Sequence, residues 1–428
     1  MKPWDLYYLH LLLKNQWKSR DELGSIRDLK LRKLIRHAHA RVPYYRQLFE
    51  SVGLSPHDIR TAEDLRHIPV TSRDALQALE LRRKMAEGIQ PESCRQSATS
   101  GTTASPLRVY ATAHDSTVMA FGWARAFLAR GMRPWYKMVA FKGQKDVGTR
   151  RSWYERLGLW RRREVSTWDG PAAWIGAIRE WKPHVLVGYE MTLRILAEAV
   201  RDGQIDGIAP ARVFHSSGIL DRRSRALIES VLRTTVVDIY GSDEGGCMAW
   251  ECDTCEGYHI CSDTVIVEIL SNGEPVKPGE EGEVVITNLS SYAMPFIRYR
   301  QGDVAVLSPE APVCGRGFSL LRGVQGRTDD YVVLRDGQRI SPHPVYHCID
   351  PVHGIRRWRV VQETIDRLTV ELEPGEGFDG GTVDTVRSNL EKLTGGQIEV
   401  AVLRVRGIPV DPLVKFRSVT SRIARRAS

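Results

Sequence analysis

Between residues 115 and 240, short runs of consecutive apolar residues alternate with segments of helical periodicity, and nothing else in the 428-residue chain restricts its fold as much. The apolar runs lie at 138–141, 185–188, Val213-Phe214-His215 and Val236-Val237-Asp238-Ile239-Tyr240. The helical segments lie at 115–130, 191–201 and 221–232. Buried strands need cover, and amphipathic helices between them can supply it, so the pattern predicts an α/β architecture.

Beyond residue 260 the texture changes. Thr264 to Ile269, Glu283 to Thr287 and Asp303 to Leu307 read as short alternating strands, separated by turns such as Ser271-Asn272-Gly273 and Pro278-Gly279. They predict a β-rich subregion attached to the α/β core. Past Asp330 the order is strand 331–334, helix 343–349, strands 357–362 and 367–372, helix 383–393 and strand 398–404, enough for a separate α+β lobe. The first eighty residues read as helices with a loop, the pattern of Leu31, Leu34, Ile35, Ala38 and Val42 breaking at Pro43. The expected division is therefore a large domain over 1–328 and a small one over 329–428.

Composition narrows the function. Lys+Arg number 61 against 52 Asp+Glu, a net charge of +9, and the pI is near 9.2. The basic stretches, Arg150-Arg151 and Arg161-Arg162-Arg163 among them, are short and interrupted by Glu155 and Glu164, with no helix-turn-helix, zinc-finger or RNA-recognition signature around them. A mild positive excess also suits phosphorylated or carboxylate ligands, so nucleic acid is not an expected partner. No apolar run reaches the roughly 18 residues of a membrane span, and the N-terminus has no leader pattern. The expected location is the cytoplasm.

Five segments carry chemistry. Ser97-Ala98-Thr99-Ser100-Gly101-Thr102-Thr103 crowds hydroxyls around a glycine, as a phosphate-binding loop does, although no Gly-Lys-Ser/Thr closes it. Tyr240-Gly241-Ser242-Asp243-Glu244 puts an aromatic ring beside two carboxylates at a strand end, suited to a base plus a metal-phosphate. Arg298-Tyr299-Arg300-Gln301-Gly302-Asp303 sets a carboxylate after a glycine turn, where it could grip two ribose hydroxyls. Gly326-Arg327-Thr328-Asp329-Asp330 lies where the texture changes, as a hinge would, and Lys415 lies near the end of the last lobe. Taken singly, each also fits a solvated turn or a structural ion pair. Separately, Cys252-x-x-Cys255 with His259 and Cys261 nearby has the ligand types of a tetrahedral zinc site, or else is a set of free thiols.

In this order and spacing the set resembles the adenylate-forming (acyl-CoA synthetase, adenylation-domain, luciferase) superfamily. It is most similar to the phenylacetate–CoA ligase branch, which includes the relatives named for capsular polysaccharide biosynthesis. Leu31-Arg32-Lys33-Leu34-Ile35-Arg36-His37-Ala38, Val42-Pro43-Tyr44-Tyr45-Arg46, Ala293-Met294-Pro295 and Lys415-Phe416-Arg417 carry that likeness. The resemblance implies ATP- and Mg²⁺-dependent activation of a carboxylic acid as an acyl-adenylate, then transfer to CoA. The alternatives are transfer to a carrier protein, sugar amine or cofactor, or a catalytically weak nucleotide-binding protein.

By the same resemblance, Ser97, Thr99, Ser100, Gly101, Thr102 and Thr103 would wrap the ATP phosphates. Ser217 and Gly218 would lie along adenine, and Tyr240, followed by Gly241 and Ser242, would border the base. Glu244 would hold Mg²⁺, Asp303 the ribose hydroxyls, and Arg327 the ribose or phosphate side. Asp329 or Asp330 would be the hinge of a mobile lobe, and Lys415 would bridge the substrate carboxylate and the α-phosphate. Relatives pair a Cys…His segment with a Cys-x-Cys-Gly-Arg turn, matched here by Pro312-Val313-Cys314-Gly315-Arg316. That implies structural Zn²⁺ on Cys252 or Cys255, His259, Cys314 and one more, Cys247 or Cys261 being candidates. The expected partners are a small carboxylic acid, CoA or another acyl acceptor, and a second copy of the chain in a homodimer. Two departures stand out. Ala104-Ser105 replaces the family's Gly-Lys before Pro106, and Phe141-Lys142-Gly143-Gln144-Lys145-Asp146 replaces a Gly- and aromatic-rich loop of the aryl pocket. A larger or more acidic acid would suit the second change, with Tyr189 as a candidate pocket wall.

Overall fold

The computed structural model describes residues 3–98, 107–143, 153–254, 256–327, 330–409 and 417–423. The chain divides into two compact units, one of Met1–Pro134, Val237–Gln301 and Ala305–Val324, the other of Trp135–Val236, Gly302–Val304 and Gln325–Ser428. Both mix helices with sheet, as the alternation of apolar runs and amphipathic segments predicts.

The first unit opens with helices Pro3–Asn15, Arg20–Arg41 and Pro43–Ser51. Ser19 and Glu22 form a reciprocal cap at the start of the second, satisfying two N–H groups that the helix itself cannot. The break expected at Pro43 falls between two helices. The ring lacks an N–H, which the first position of a new helix does not need. Leu31, Leu34, Ile35 and Ala38 then share one core with Tyr45, Phe49, Ile266, Leu289 and Ile297. The Tyr45 hydroxyl donates to Pro295 O at 3.0 Å and accepts from Ile297 N at 2.9 Å, tying these helices to the β-rich region.

In that region strands Val265–Ser271 and Glu281–Asn288 pair antiparallel. The turn expected at Asn272-Gly273 is a two-residue reversal, with Ser271 opposite Glu274 and positive φ at both central residues (51° and 86°). Strands Val236–Ser242, Gly246–Glu251 and Tyr258–Ile260 follow one another antiparallel, and Leu320–Arg327 pairs with the last. Arg95–Ala98 differs from the expected loop. It is a strand paired with Arg108–Ala111, so Ser97 stands opposite Val109 and the phosphate-loop segment begins within a hairpin arm.

In the second unit, Arg212–Ser216, Val185–Gly188, Met138–Lys142 and Arg162–Ser166 form a parallel array in that order. Helices Gly170–Trp181, Glu190–Arg201 and Arg222–Leu232 accompany it, and Val139, Phe141, Trp174, Leu186, Leu193, Val213 and Ile228 fill the core. The C-terminal part has its own four-stranded sheet, in the order Glu399–Arg404, Arg367–Pro374, Ile355–Thr364 and Val419–Ser421. Its core is separate too, built on Val345, Ile349, Trp358, Val360, Val370, Val386 and Leu390. The helices and strands read past Asp330 are present, and Val419–Ser421 and Arg339–Ile340 are added as strands that the pattern did not show.

One charged pair sits in the interior of the first unit. Arg125 Nη1 donates to both Asp263 oxygens at 2.8 Å, and neither side chain has any exposure. Asn15 adds a bond to Asp263 Oδ2 at 3.0 Å, and the guanidinium lies against the rings of Trp250 and Phe318. Burial, the largest single influence, would depress Arg125, but the Asp263 charge and hydrogen bond together with the nearby Cys261 and Cys247 outweigh it, so the guanidinium is held above its ordinary value. Asp263→Ala leaves that cation buried without its partner and is expected to cost about 3–5 kcal/mol of stability, read by urea denaturation. A loss under about 1 kcal/mol would mean that water reaches the site.

Candidate active site

Glu244 sits in the turn between strands Val236–Ser242 and Gly246–Glu251. The turn is fixed from inside, since the Ser242 hydroxyl accepts from Gly245 N at 2.8 Å and Asn288 Nδ2 donates to Glu244 O at 2.7 Å. Gly241 has to be glycine. A Cβ there would lie 2.6 Å from Gly246 O and from the Trp123 ring. The Glu244 side chain is 6% exposed, with Tyr299 OH donating to Oε1 at 3.2 Å. Gln301 Nε2, two residues on and so on the same strand face, reaches Ser242 Oγ at 3.1 Å. Burial chiefly pushes the Glu244 carboxyl above its ordinary range and the Asp243 charge adds to this, while Tyr299 and Arg73 pull the other way. A carboxylate disfavoured in this way gains from a cation, and a hard divalent ion suits its oxygen.

In the second unit, Asp303 and Arg327 come together, with Arg327 Nε 3.6 Å from Asp303 Oδ1. Gly302, at φ 74°, turns the chain just before the carboxylate. Asp330, the candidate hinge, accepts from Arg417 Nη1 at 2.8 Å, which brings the end of the Lys415-Phe416-Arg417 motif to the hinge position. Ser217 and Gly218 follow strand Arg212–Ser216 in a left-handed turn with φ of 74° and 111°. Such a turn presents successive backbone groups to one side. Tyr189, at the carboxyl end of strand Val185–Gly188, accepts from Gly143 N at 3.0 Å. Tyr240 is half-buried at its strand end. Thr99, Ser100, Gly101, Thr102, Thr103, Cys255, Asp329 and Lys415 lie outside the described residues.

Cys252, His259 and Cys314 meet, their ligand atoms all within 4.8 Å of one another. Cys314 Sγ is 3.3 Å from His259 Nε2. Burial first, and the Arg316 cation next, hold His259 down at about 4, so its imidazole is neutral and fit to ligate. Cys247 and Cys261 stand in a different pair, their sulfurs 4.0 Å apart. Gln301, Asn288 and Arg73 support the site without having been expected from the sequence. For Gln301 the signal was present, since Tyr299 and Gln301 alternate on a strand that leads to the motif carboxylate.

Comparisons with known proteins bear on this arrangement. No family model matches the chain. It is 31% identical over 417 residues to the phenylacetate–coenzyme A ligase of Escherichia coli, covering 91% of this chain and 93% of the relative. The chain belongs to the phenylacetate–CoA ligase family. The ligase of that name from Thermus thermophilus is 28% identical over 384 residues, covering 84% of this chain and 83% of its own length. Among solved structures, 2-hydroxyisobutyryl-CoA ligase in its postadenylation state with an acyl-AMP superposes with a TM-score of 0.79 at 20% identity, covering 97% of this chain and 93% of that one. The same ligase with CoA in its thioesterification state gives 0.65 at 20% identity, covering 96% and 93%. The protein is thus an enzyme of the adenylate-forming ligase type, which activates a carboxylic acid with ATP and passes the acyl group to CoA.

Glu244→Gln keeps the shape of the side chain and removes the charge that burial disfavours. In metal-free buffer at neutral pH the variant is expected to melt no lower than the parent, while adenylate formation assayed with Mg²⁺ falls by about 10²–10³. Calorimetry and pyrophosphate release measure the two. Parental activity would exclude Glu244 from the chemistry.

Proposed function

We propose that this family member holds Mg²⁺-ATP on Glu244, the 97–103 segment, Asp303 and Arg327, and that Lys415 meets the reacting carboxylate. The buried, under-compensated Glu244 carboxylate is the observation that carries the reading. The acid's carboxylate oxygen attacks the α-phosphorus, the α–β bridging bond breaks, and pyrophosphate leaves with its electron pair. The CoA thiol then gives its proton to solvent and its sulfur attacks the acyl carbon, and the acyl carbon–phosphate oxygen bond breaks with AMP taking the electron pair. No protein nucleophile takes part. The chain's own contribution is to orient two anions and to offset the charge shared between them, which preorganised donors do without reorganising. When bound, the metal would supply further charge neutralisation at the phosphates.

The two reactions ask for different surroundings, and a small lobe over 329–428, turning at Asp329 or Asp330, would supply each in turn. Its separate sheet and core support that division, as does the better superposition on one state of the hydroxyisobutyryl ligase than on the other. Tyr189, anchored to Gly143 N, and the neighbouring Lys142 are assigned to the acid pocket. Lys142 favours an acid with a second polar or acidic group over a bare aryl acid. Ser217 and Gly218 are assigned to the nucleotide's base. Cys252, His259 and Cys314, with Cys255 as the fourth ligand, are assigned to a structural Zn²⁺. A closed four-ligand shell leaves no open position, so this metal has no part in the chemistry. The reaction is placed in the cytoplasm, where thiols stay reduced, with the working unit a homodimer.

Pyrophosphate release over a panel of aryl, aliphatic, hydroxy and dicarboxylic acids, with and without CoA, tests the function. Release with at least one acid, and a CoA thioester in the product, is expected; no release with any acid would sink the proposal. For the zinc, elemental analysis of protein purified without a metal-chelating column should give about one equivalent per chain. Cys314→Ser should lower both the metal content and the melting temperature. A metal content near zero in the parent would return these thiols to ordinary packing.

A further inference from the structure

Asp221 caps helix Arg222–Leu232, its Oδ1 accepting from Arg223 N at 2.9 Å and Ser224 N at 2.8 Å. That cap fixes the first helical turn and with it the Arg223 side chain. The guanidinium of Arg223 is spent entirely on one place in the C-terminal part. Nε donates to Asp350 O at 3.0 Å and Nη1 to Ile355 O at 2.6 Å, and Nη2 reaches Ile349 O at 3.0 Å, Asp350 O at 2.9 Å and Val352 O. Ile349 is the last residue of helix Pro342–Ile349, so the carbonyls of Ile349, Asp350 and Val352 lie at or just past a helix C-terminus, where the peptide dipoles favour a cation, and Ile355 O opens the strand that follows.

A second arginine does the same one helix away. Arg194, on helix Glu190–Arg201, donates to Arg356 O at 2.7 Å and to the Ser224 hydroxyl at 3.3 Å, and its Nε is held by Glu198 at 3.3 Å. Glu198 in turn lies 3.5 Å from Arg356 Nη2. Together these bonds tie helices of the parallel-sheet part to the 349–356 segment. None of them reaches Glu244, Asp303 or Arg327. Core packing does not need an arginine with Nε and both Nη atoms turned to backbone carbonyls of another sheet's segment. A fork of charge-assisted bonds to carbonyls is strong when made, and because it is directional it is lost as a set when the partner rotates.

We infer that Arg223, seconded by Arg194, is a latch that holds the C-terminal lobe in the arrangement that makes the adenylate and must let go before the thioester step. The inference rests on the two-step reading above. Arg223 is then a positioning residue, acting through the lobe and not on the reacting atoms. The carbonyls it engages belong to the lobe's backbone, so side-chain changes in the lobe leave the latch intact, whereas loss of Arg223 removes it.

The test uses full-length protein and the variants Arg223→Ala and Arg223→Lys. Pyrophosphate release, with the acid that works best in the panel, reads the first step. Consumption of the corresponding synthetic acyl-AMP by CoA reads the second. The alanine variant should lose about 10- to 100-fold in the first and stay within about twofold in the second. Its radius of gyration by small-angle scattering without ligands should exceed the parent's. The lysine variant, which keeps the charge and gives up the fork, should fall between. Equal losses in both steps, or no loss in either, would overturn the latch. If the alanine variant fails to fold, the lysine variant decides by the same split. If the parent releases no pyrophosphate with any acid, it is the two-step reading that fails, and an unchanged radius of gyration in the variants would then remove the latch as well.

Discussion

An arginine and an aspartate with no exposure to water, Arg125 and Asp263, are the fixed point on which the first unit is built. Removing two charges from water is costly, and their attraction repays it only if the geometry is kept and the remaining donors and acceptors are met. Those that are met recruit the whole neighbourhood, while Nε and Nη2 of Arg125 make no hydrogen bond among the described residues and rest against rings. Asn15 brings the first helix, Lys30 donates to Asp263 O at 2.6 Å from the second, and the Trp250 and Phe318 rings flank the guanidinium. Two leucines in these positions would tolerate sliding; a bidentate pair does not. The strand of Trp250 is therefore held in register, and Glu244 stands in the turn just before that strand.

That rigidity matters because Glu244 is itself in an unfavourable place. Burial opposes its charge, and its own backbone N–H, the Tyr299 hydroxyl and the Arg73 cation offset that only in part. A scaffold with slack would relax by exposing the carboxylate or turning it aside. Here Asn288 holds the backbone of the turn, and Gly241 admits the close approach of Gly246 O and Trp123. The turn cannot readily relax, so the carboxylate stays buried with its charge only partly offset.

The second unit shows the opposite use of charge. Arg223 and Arg194 pair largely with backbone carbonyls, which cannot be ionised and belong to a segment with a sheet and core of its own. Such contacts are strong in one orientation and absent in others. The first unit's ion pair is buried on all sides and suits permanence; the second's carbonyl forks suit reversibility. An enzyme that runs two reactions over one acyl group needs both kinds.

Much of this was legible in the chain. Runs such as Val213-Phe214-His215 between amphipathic segments gave the α/β class, because the period of burial is written directly in residue order. Asn272-Gly273 announced its own turn, since few residue pairs accept positive φ twice in succession. Tyr240 to Glu244, Asp303, Arg327, Cys252 and His259 stood out by chemical type, as acids, bases and thiols at strand ends and turns, and Cys314 only through the family resemblance. The cysteine sorting was not. Cys261 lies nearer in sequence to His259 than Cys252 does, and only the strand register sends it to Cys247 instead. Nor could residue order reveal that Asp263 meets Arg125 across 138 positions, or that Arg223 finds carbonyls 126 to 132 residues further on. Local pattern determines what each segment can become and which chemistry it carries. Which buried charge meets which partner is decided only when distant segments pack, because a hydrogen bond reads position in space and the chain records only position along itself.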